Sequence, residues 1–118
     1  MPLYDFPTGP TTMEDVEAFV AGAQAVVNAQ MAKTFPNVSP PVLTIEPVRA
    51  NSQFAKIVAS DRAQRSVWAF VRLENGLIYK PSSWKVPAKH ARGTIHSAGH
   101  GAEYVDWTGP RYIRDMRP

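Results

Sequence analysis

Apolar side chains recur at intervals of three and four residues near the start of the chain. A period of 3.6 residues is typical of an amphipathic helix with one buried face. Thr11-x-x-Glu14 has the form of a capping box, and Pro36 lies just beyond the last turn. These features predict one long helix over residues 11–34, with its apolar stripe formed by Val16, Phe19, Val20, Ala23, Val27 and Met31.

After a proline-rich connector the pattern changes to short runs of β-branched and aromatic residues. Strands are predicted over residues 42–45, 54–59, 66–73 and 77–80. Asn75-Gly76 separates the last two and is a strong hairpin signal, because both central positions of a type I′ turn need positive φ. A two-residue turn there would place Leu73 opposite Ile78 and Arg72 opposite Tyr79.

Counting outward from this turn assigns the hairpin residues to two faces. One face is aliphatic, with Val67, Ala69, Val71, Leu73 and Ile78. The other is aromatic with a cation at its centre, and carries Trp68, Phe70, Arg72, Leu77 and Tyr79. One helix covers one face of a sheet, so the aromatic face is either packed under the helix or open to a partner.

The expected fold is α+β, with one long N-terminal amphipathic helix packed on an antiparallel sheet of three to five strands. The length of 118 residues fits a single domain. Its parts are an extended N-terminal arm (1–10), the helix (11–34), antiparallel strands (42–80), and a basic loop with the C-terminal segment (81–118). A short terminal helix is expected over residues 111–116.

Charge is distributed unevenly along the chain. The net charge of +3 divides into −4 for residues 1–48, +7 for residues 49–92 and zero for residues 93–118. The central segment therefore has nine cations against two carboxylates. A clustered positive field attracts phosphates, although folding could instead bring the acidic part back onto the basic part.

The segment from Lys80 to Gly93 concentrates four cations, two hydroxyls and a tryptophan. Pro87 could begin a helical turn that Gly93 ends. Such a turn would place Lys85, Lys89 and Arg92 on one side, beside a helix N-terminus suited to phosphate. The alternative is an ordinary solvated loop.

Several kinds of chemistry are disfavoured by the sequence. The absence of cysteine excludes disulfides and thiol catalysis. The spacing His96-x-x-x-His100 suits two metal ligands on a helix, but Ser97, Gly99 and Gly101 disfavour a helix there. No nucleophile elbow, zinc-protease motif or P-loop is present. We therefore expect no enzyme activity, cofactor or metal, and an intracellular protein without a membrane span.

The run from Ser66 to Gly93 resembles a family of small uncharacterised proteins encoded by tailed phages. The resemblance is carried by Ser66-Val67-x-Ala69-Phe70-Val71, by Gly76-x-Ile78-x-Lys80-Pro81, and by Trp84-Lys85-x-Pro87-Ala88-Lys89-His90-Ala91-Arg92-Gly93. It implies a viral origin, and hence the host cytoplasm, with residues 84–93 as the hallmark of the family. The resemblance gives no information about an activity.

These features together predict a protein that binds single-stranded nucleic acid. Aromatic rings would stack on bases and cations would contact phosphates. The expected binding residues are Trp68, Phe70, Arg72, Tyr79, Lys80, Trp84, Lys85, Lys89, His90 and Arg92. Two alternatives stay open: an oligomeric protein that sequesters a small phosphate-bearing nucleotide signal, and a virion or assembly component whose aromatic face is a subunit interface.

Overall fold

The computed structural model describes residues 6–62 and 64–111, and it confirms the α+β fold. Helix α1 (Met13–Thr34) packs on an antiparallel sheet whose five strands follow one another in chain order. The strands are β1 (Val42–Ile45), β2 (Phe54–Asp61), β3 (Gln64–Arg72), β4 (Leu77–Pro81) and β5 (Pro87–Thr94). A 3-10 turn (Ala102–Tyr104) and a small hairpin of β6 (Val105–Asp106) and β7 (Gly109–Pro110) follow. Residues 1–5 of the predicted arm and most of the predicted terminal helix lie outside the described residues.

The capping box of α1 is displaced by one residue from its predicted position. Thr12 is the N-cap, its Oγ1 accepts from the Asp15 N–H, and the Asp15 carboxylate accepts from the Thr12 N–H. These hydrogen bonds lower the pKa of Asp15. The predicted pair of Thr11 and Glu14 is wrong because Thr11 is engaged elsewhere: its N–H donates to Leu73 O.

The core lies between α1 and one face of the sheet. Helix residues at the predicted three- and four-residue spacing, such as Phe19 and Val27, are fully buried. They pack on the sheet face that carries Ala69, Val71 and Ile78, which is the face assigned as aliphatic from the sequence, and this decides a choice of face that the sequence left open. The helix therefore leaves the opposite, aromatic face uncovered.

The hairpin of β3 and β4 is offset by two residues from the predicted register. Val71 lies opposite Ile78 and Phe70 opposite Tyr79, so residues 73–76 form a four-residue loop. The type I′ turn is wrong because only Gly76 of the expected pair has a positive φ, of 80°. The carbonyl groups of Leu73 and Asn75 accept instead from the N–H groups of Thr11, just before the helix, and of Gly9 in the arm. A shift by an even number preserves the two faces.

A β-bulge at Trp68 changes the predicted faces at the far end of β3. Ile57 lies opposite Ala69, whereas the next residue of β2, Val58, lies opposite Val67. Trp68 is therefore the extra residue, and its side chain packs under the helix near Phe19, with ring centroids 6.4 Å apart. The assignment of Trp68 to the aromatic face and of Val67 to the helix face is wrong, since a bulge reverses the alternation of side chains.

The predicted helical turn after Pro87 is also wrong, since Pro87–Thr94 is the edge strand β5. Gly93 lies in this strand opposite Ile78, and the Tyr104 ring lies directly on it. A Cβ atom added at Gly93 would be 2.4 Å from Tyr104 Cγ. Pairing with β4 satisfies more backbone groups than an isolated turn could, which explains the extended conformation.

Histidine and glutamine side chains hold peripheral segments onto this frame. His96 Nε2 lies 2.9 Å from Gly9 O and 3.1 Å from Thr11 Oγ1, which ties the arm to the sheet. Gln24 Oε1 accepts from the Leu43 N–H of edge strand β1 at 2.7 Å, and its amide donates to Pro41 O. Within residues 6–62 and 64–111 no group of three possible metal ligands occurs, and no helix is long and apolar enough to span a membrane.

The turn after His96 is organised around one carboxylate. Glu103 accepts from Ser97 Oγ at 2.7 Å and from the N–H groups of Gly99 and Gly101 at 3.0 and 3.1 Å. Desolvation of Glu103 favours its neutral form, but these hydrogen bonds outweigh that effect and lower its pKa.

Candidate functional site

The sheet face turned away from α1 carries a cluster of aromatic rings. Phe54 of β2 packs edge-to-face on Phe70 of β3 and on Tyr79 of β4, with ring centroids 5.9 and 5.7 Å apart. The packing leaves Phe70 only 3% and Tyr79 only 9% exposed. Enclosed rings cannot stack on bases, so Phe70 and Tyr79 form the floor of this face and are not the stacking surface predicted for them.

Trp84 is the predicted stacking residue that the structure leaves accessible. It lies in the β4–β5 hairpin loop, which Val86 O closes by accepting from the N–H groups of Ser82 and Ser83. Lys56 Nζ is 4.7 Å and the Arg65 guanidinium carbon 5.6 Å from the centroid of the indole ring. Trp84 is nevertheless 42% exposed, so part of the ring remains available to a partner.

A cleft of about 560 Å³ opens beside the aromatic cluster, under the segment that joins β1 to β2. A tight turn shapes this segment: the Arg49 N–H donates to Ser52 Oγ, and the Ser52 N–H donates to Arg49 O. The residues that define this basic cleft include Glu46, Arg49, Phe54, Lys56, Phe70 and Lys85. Three cations against one carboxylate give it a positive field.

The carboxylate of the cleft is already paired. Glu46 Oε1 lies 2.9 Å from Arg65 Nη2, and the Glu46 side chain is 31% exposed. The Glu46 N–H donates to Lys56 O at 2.9 Å, which extends the β1–β2 ladder by one residue and fixes the position of Glu46. The Glu46–Arg65 pair joins the cleft to Trp84, because Arg65 also lies against the indole ring.

The other predicted residues are divided between this face and the rest of the fold. Lys85 lines the basic cleft. Arg72 lies on the same face, with its guanidinium carbon 6.0 Å from the Phe54 ring centroid, and it pairs with Glu74 at 3.2 Å. Trp68 is 5% exposed in the core and cannot contact a ligand.

Four predicted residues between Lys80 and Gly93 do not line the cleft. Lys80 is half-buried on β4, and Arg92 is the extra residue of a bulge where β5 passes from Gly93 to Ala91. Lys89 and His90 are exposed on β5. The predicted alignment of Lys85, Lys89 and Arg92 along a helical turn is therefore wrong.

The sequence analysis overlooked several residues that shape the site: Glu46, Arg49, Phe54, Lys56 and Arg65. The sequence contains a signal that could have identified two of these residues. Phe54 and Lys56 alternate along a predicted strand, so they must share a face. What placed that face beside Phe70 was the pairing of β2 with β3, which the local pattern does not specify.

A family model described as a family of unknown function, DUF7717, matches residues 3–113. The chain belongs to this family. The match includes the helix, all five strands and the basic cleft, so the whole site lies within the family domain. No curated protein and no solved structure matches the chain.

Proposed function

We propose that this protein binds single-stranded nucleic acid across the basic cleft and Trp84. The observation that carries the proposal is the combination of three cations around one cleft with an exposed tryptophan beside it. Cations that follow a backbone, next to a ring that stacks on a base, are typical of single-strand binding sites.

The proposed path of the single strand does not run over a row of exposed aromatic rings. With Phe70 and Tyr79 enclosed, one nucleotide would occupy the cleft and a neighbouring base would stack on Trp84. Arg49, Lys56 and Lys85 would contact phosphates. The resemblance to phage proteins enters the proposal as an origin in a phage and a place of action in the host cytoplasm.

A salt series of fluorescence-polarisation measurements tests this proposal. The double variant Arg49→Ala/Lys85→Ala should bind single strands more weakly, and its plot of log affinity against log salt should be shallower by about 1.4, or about 0.7 for each lost phosphate contact. The matched control is Lys33→Ala/Arg62→Ala, which removes the same charge from residues that do not line the cleft.

Two results would contradict the proposal. Affinity for oligonucleotides that does not change with salt would exclude phosphate contacts. An equal loss of affinity in the control variant would show that net charge, and not the cleft, governs binding.

The size of the cleft favours a second candidate, a single nucleotide bound as a small ligand. A volume of about 560 Å³ falls within the range of small-molecule sites, roughly 300–1,000 Å³. Thermal-shift measurements separate the two candidates, because a ligand that binds only the folded state stabilises it by an amount that grows with the ratio of ligand concentration to dissociation constant. Stabilisation by mononucleotides or cyclic nucleotides, without stabilisation by oligonucleotides, would select the second.

A further inference from the structure

Glu46 is an unusual residue to find in a cleft that attracts phosphate. The Glu46 N–H donates to Lys56 O, which places Glu46 opposite Lys56 on the same sheet face, and Glu46 lines the same cleft as Arg49 and Lys85. The contact with Arg65 involves Glu46 Oε1 at 2.9 Å. A phosphate placed next to Glu46 would be repelled, so this corner of the cleft suits a different part of a nucleotide.

An ionised carboxylate only accepts hydrogen bonds, and it can accept about four of them. The contact with Arg65 uses one, and Glu46 has capacity for hydrogen-bond donors from a ligand. In a nucleotide with charged phosphates, the strongest such donors are the N–H groups of the base. The arrangement of charges in the cleft therefore suits contact of its cations with the phosphate and contact of Glu46 with the base.

The bases of DNA and RNA differ in the hydrogen-bond donors that they present to a carboxylate. Guanine presents two adjacent donors, N1–H and the N2 amino group, on its Watson–Crick edge. Thymine and uracil present one N–H flanked by two carbonyl acceptors, which repel a carboxylate. Adenine and cytosine present one amino group next to a ring acceptor. Guanine alone pairs with a carboxylate through two parallel N–H···O bonds.

We infer that Glu46 makes the basic cleft selective for guanine, so that the protein prefers single strands containing guanosine. This inference rests on the proposed function, since it assumes that a nucleotide occupies the cleft. A good bidentate contact discriminates against other bases on the order of tenfold. The preference should therefore be modest and should act at one nucleotide of the bound strand.

Polarisation measurements with defined oligonucleotides test the inference. The probes are single strands of about 12 nucleotides, which is within the usual site sizes: all dT, and dT alternating with dG, dA or dC. Alternation prevents the runs of dG that form four-stranded structures. The strand with dG should bind roughly tenfold more tightly than all-dT, and the strands with dA and dC should lie between them.

The variant Glu46→Gln identifies the residue responsible. Loss of the negative charge should remove most of the preference for dG, while affinity for all-dT stays the same or rises because repulsion of phosphate is reduced. The matched control is Glu74→Gln, which neutralises a carboxylate that is also ion-paired with an arginine but is 76% exposed and does not line the cleft. The control should keep the preference for dG.

The outcomes separate the inference from the proposed function. Equal, salt-dependent binding of all four probes would leave single-strand binding intact and overturn the role of Glu46. If Glu46→Gln lost the same affinity for all four probes and also had a lower melting temperature, Glu46 would only support the fold. That result would also overturn the inference of guanine selectivity. Failure of every probe to bind would overturn both.

Discussion

Truncation of the two tryptophans of the central region should affect mainly stability at Trp68 and mainly ligand binding at Trp84. Trp68 is 5% exposed and packs near Phe19, whereas Trp84 is 42% exposed. Replacing a buried tryptophan by alanine costs about 3–5 kcal/mol of unfolding free energy, from lost transfer energy and the cavity left behind. For a chain of this length that is a decrease of about 12–20 °C in melting temperature. Trp84→Ala removes two exposed cation–π contacts and should cost about 1–2 kcal/mol.

Urea denaturation followed by far-ultraviolet circular dichroism measures both variants without depending on tryptophan fluorescence. If Trp68→Ala fails to fold, Trp68→Phe should fold with a smaller loss, about 1–2 kcal/mol. Oligonucleotide binding supplies the second measurement: Trp84→Ala should weaken it by the value of one stacking contact, about 1–3 kcal/mol. Trp68→Phe should leave it unchanged. A stable Trp68→Ala variant that had lost binding would refute the placement of Trp68 under the helix.

Two further predictions concern the C-terminal segment. Gly93→Ala should destabilise the fold by about 1–3 kcal/mol in urea denaturation, because the new methyl group would overlap the Tyr104 ring; an unchanged midpoint would contradict this close packing. The lowered pKa of Glu103 means that its ionised form stabilises the fold above the ordinary value of 4.5, and that this contribution is lost as the pH falls through the folded-state pKa. Because Glu103 is exposed, the effect should be less than about 1 kcal/mol. Glu103→Gln should flatten the acid side of the melting temperature–pH profile relative to the natural chain, and an identical profile would contradict it.

The long helix and most strands could be predicted because their signals are local. The stripe from Val16 to Met31 encodes one buried helix face, and the runs in β2 and β3 encode strands by composition and alternation. The hairpin register could not be predicted in the same way. Its loop backbone bonds to Gly9 and Thr11, which are more than 60 residues away in the chain.

Residues of the candidate site could be predicted only where their neighbours in space are also their neighbours in the sequence. Trp84 and Lys85 lie in a short hairpin loop, and their exposure follows from the turn between two strands. Trp68 was misplaced because one bulge, visible only in the pairing of β2 with β3, reverses its direction. Arg49 and Glu46 were overlooked because their relation to the aromatic rings depends on how the segment between β1 and β2 folds over the sheet.

The sequence by itself determined the class of fold, the division of most hairpin residues between an aliphatic and an aromatic face, and the cationic character of the central segment. These properties depend on side-chain period and on composition, which act over a few neighbouring residues. The sequence left open which of the two faces the helix covers, and the tertiary structure decided that. The tertiary structure decided which rings are enclosed, which cations meet at one cleft and that a carboxylate lies among them. Those properties depend on strand register and on long-range hydrogen bonds, where a change of one residue reverses the face on which a side chain lies.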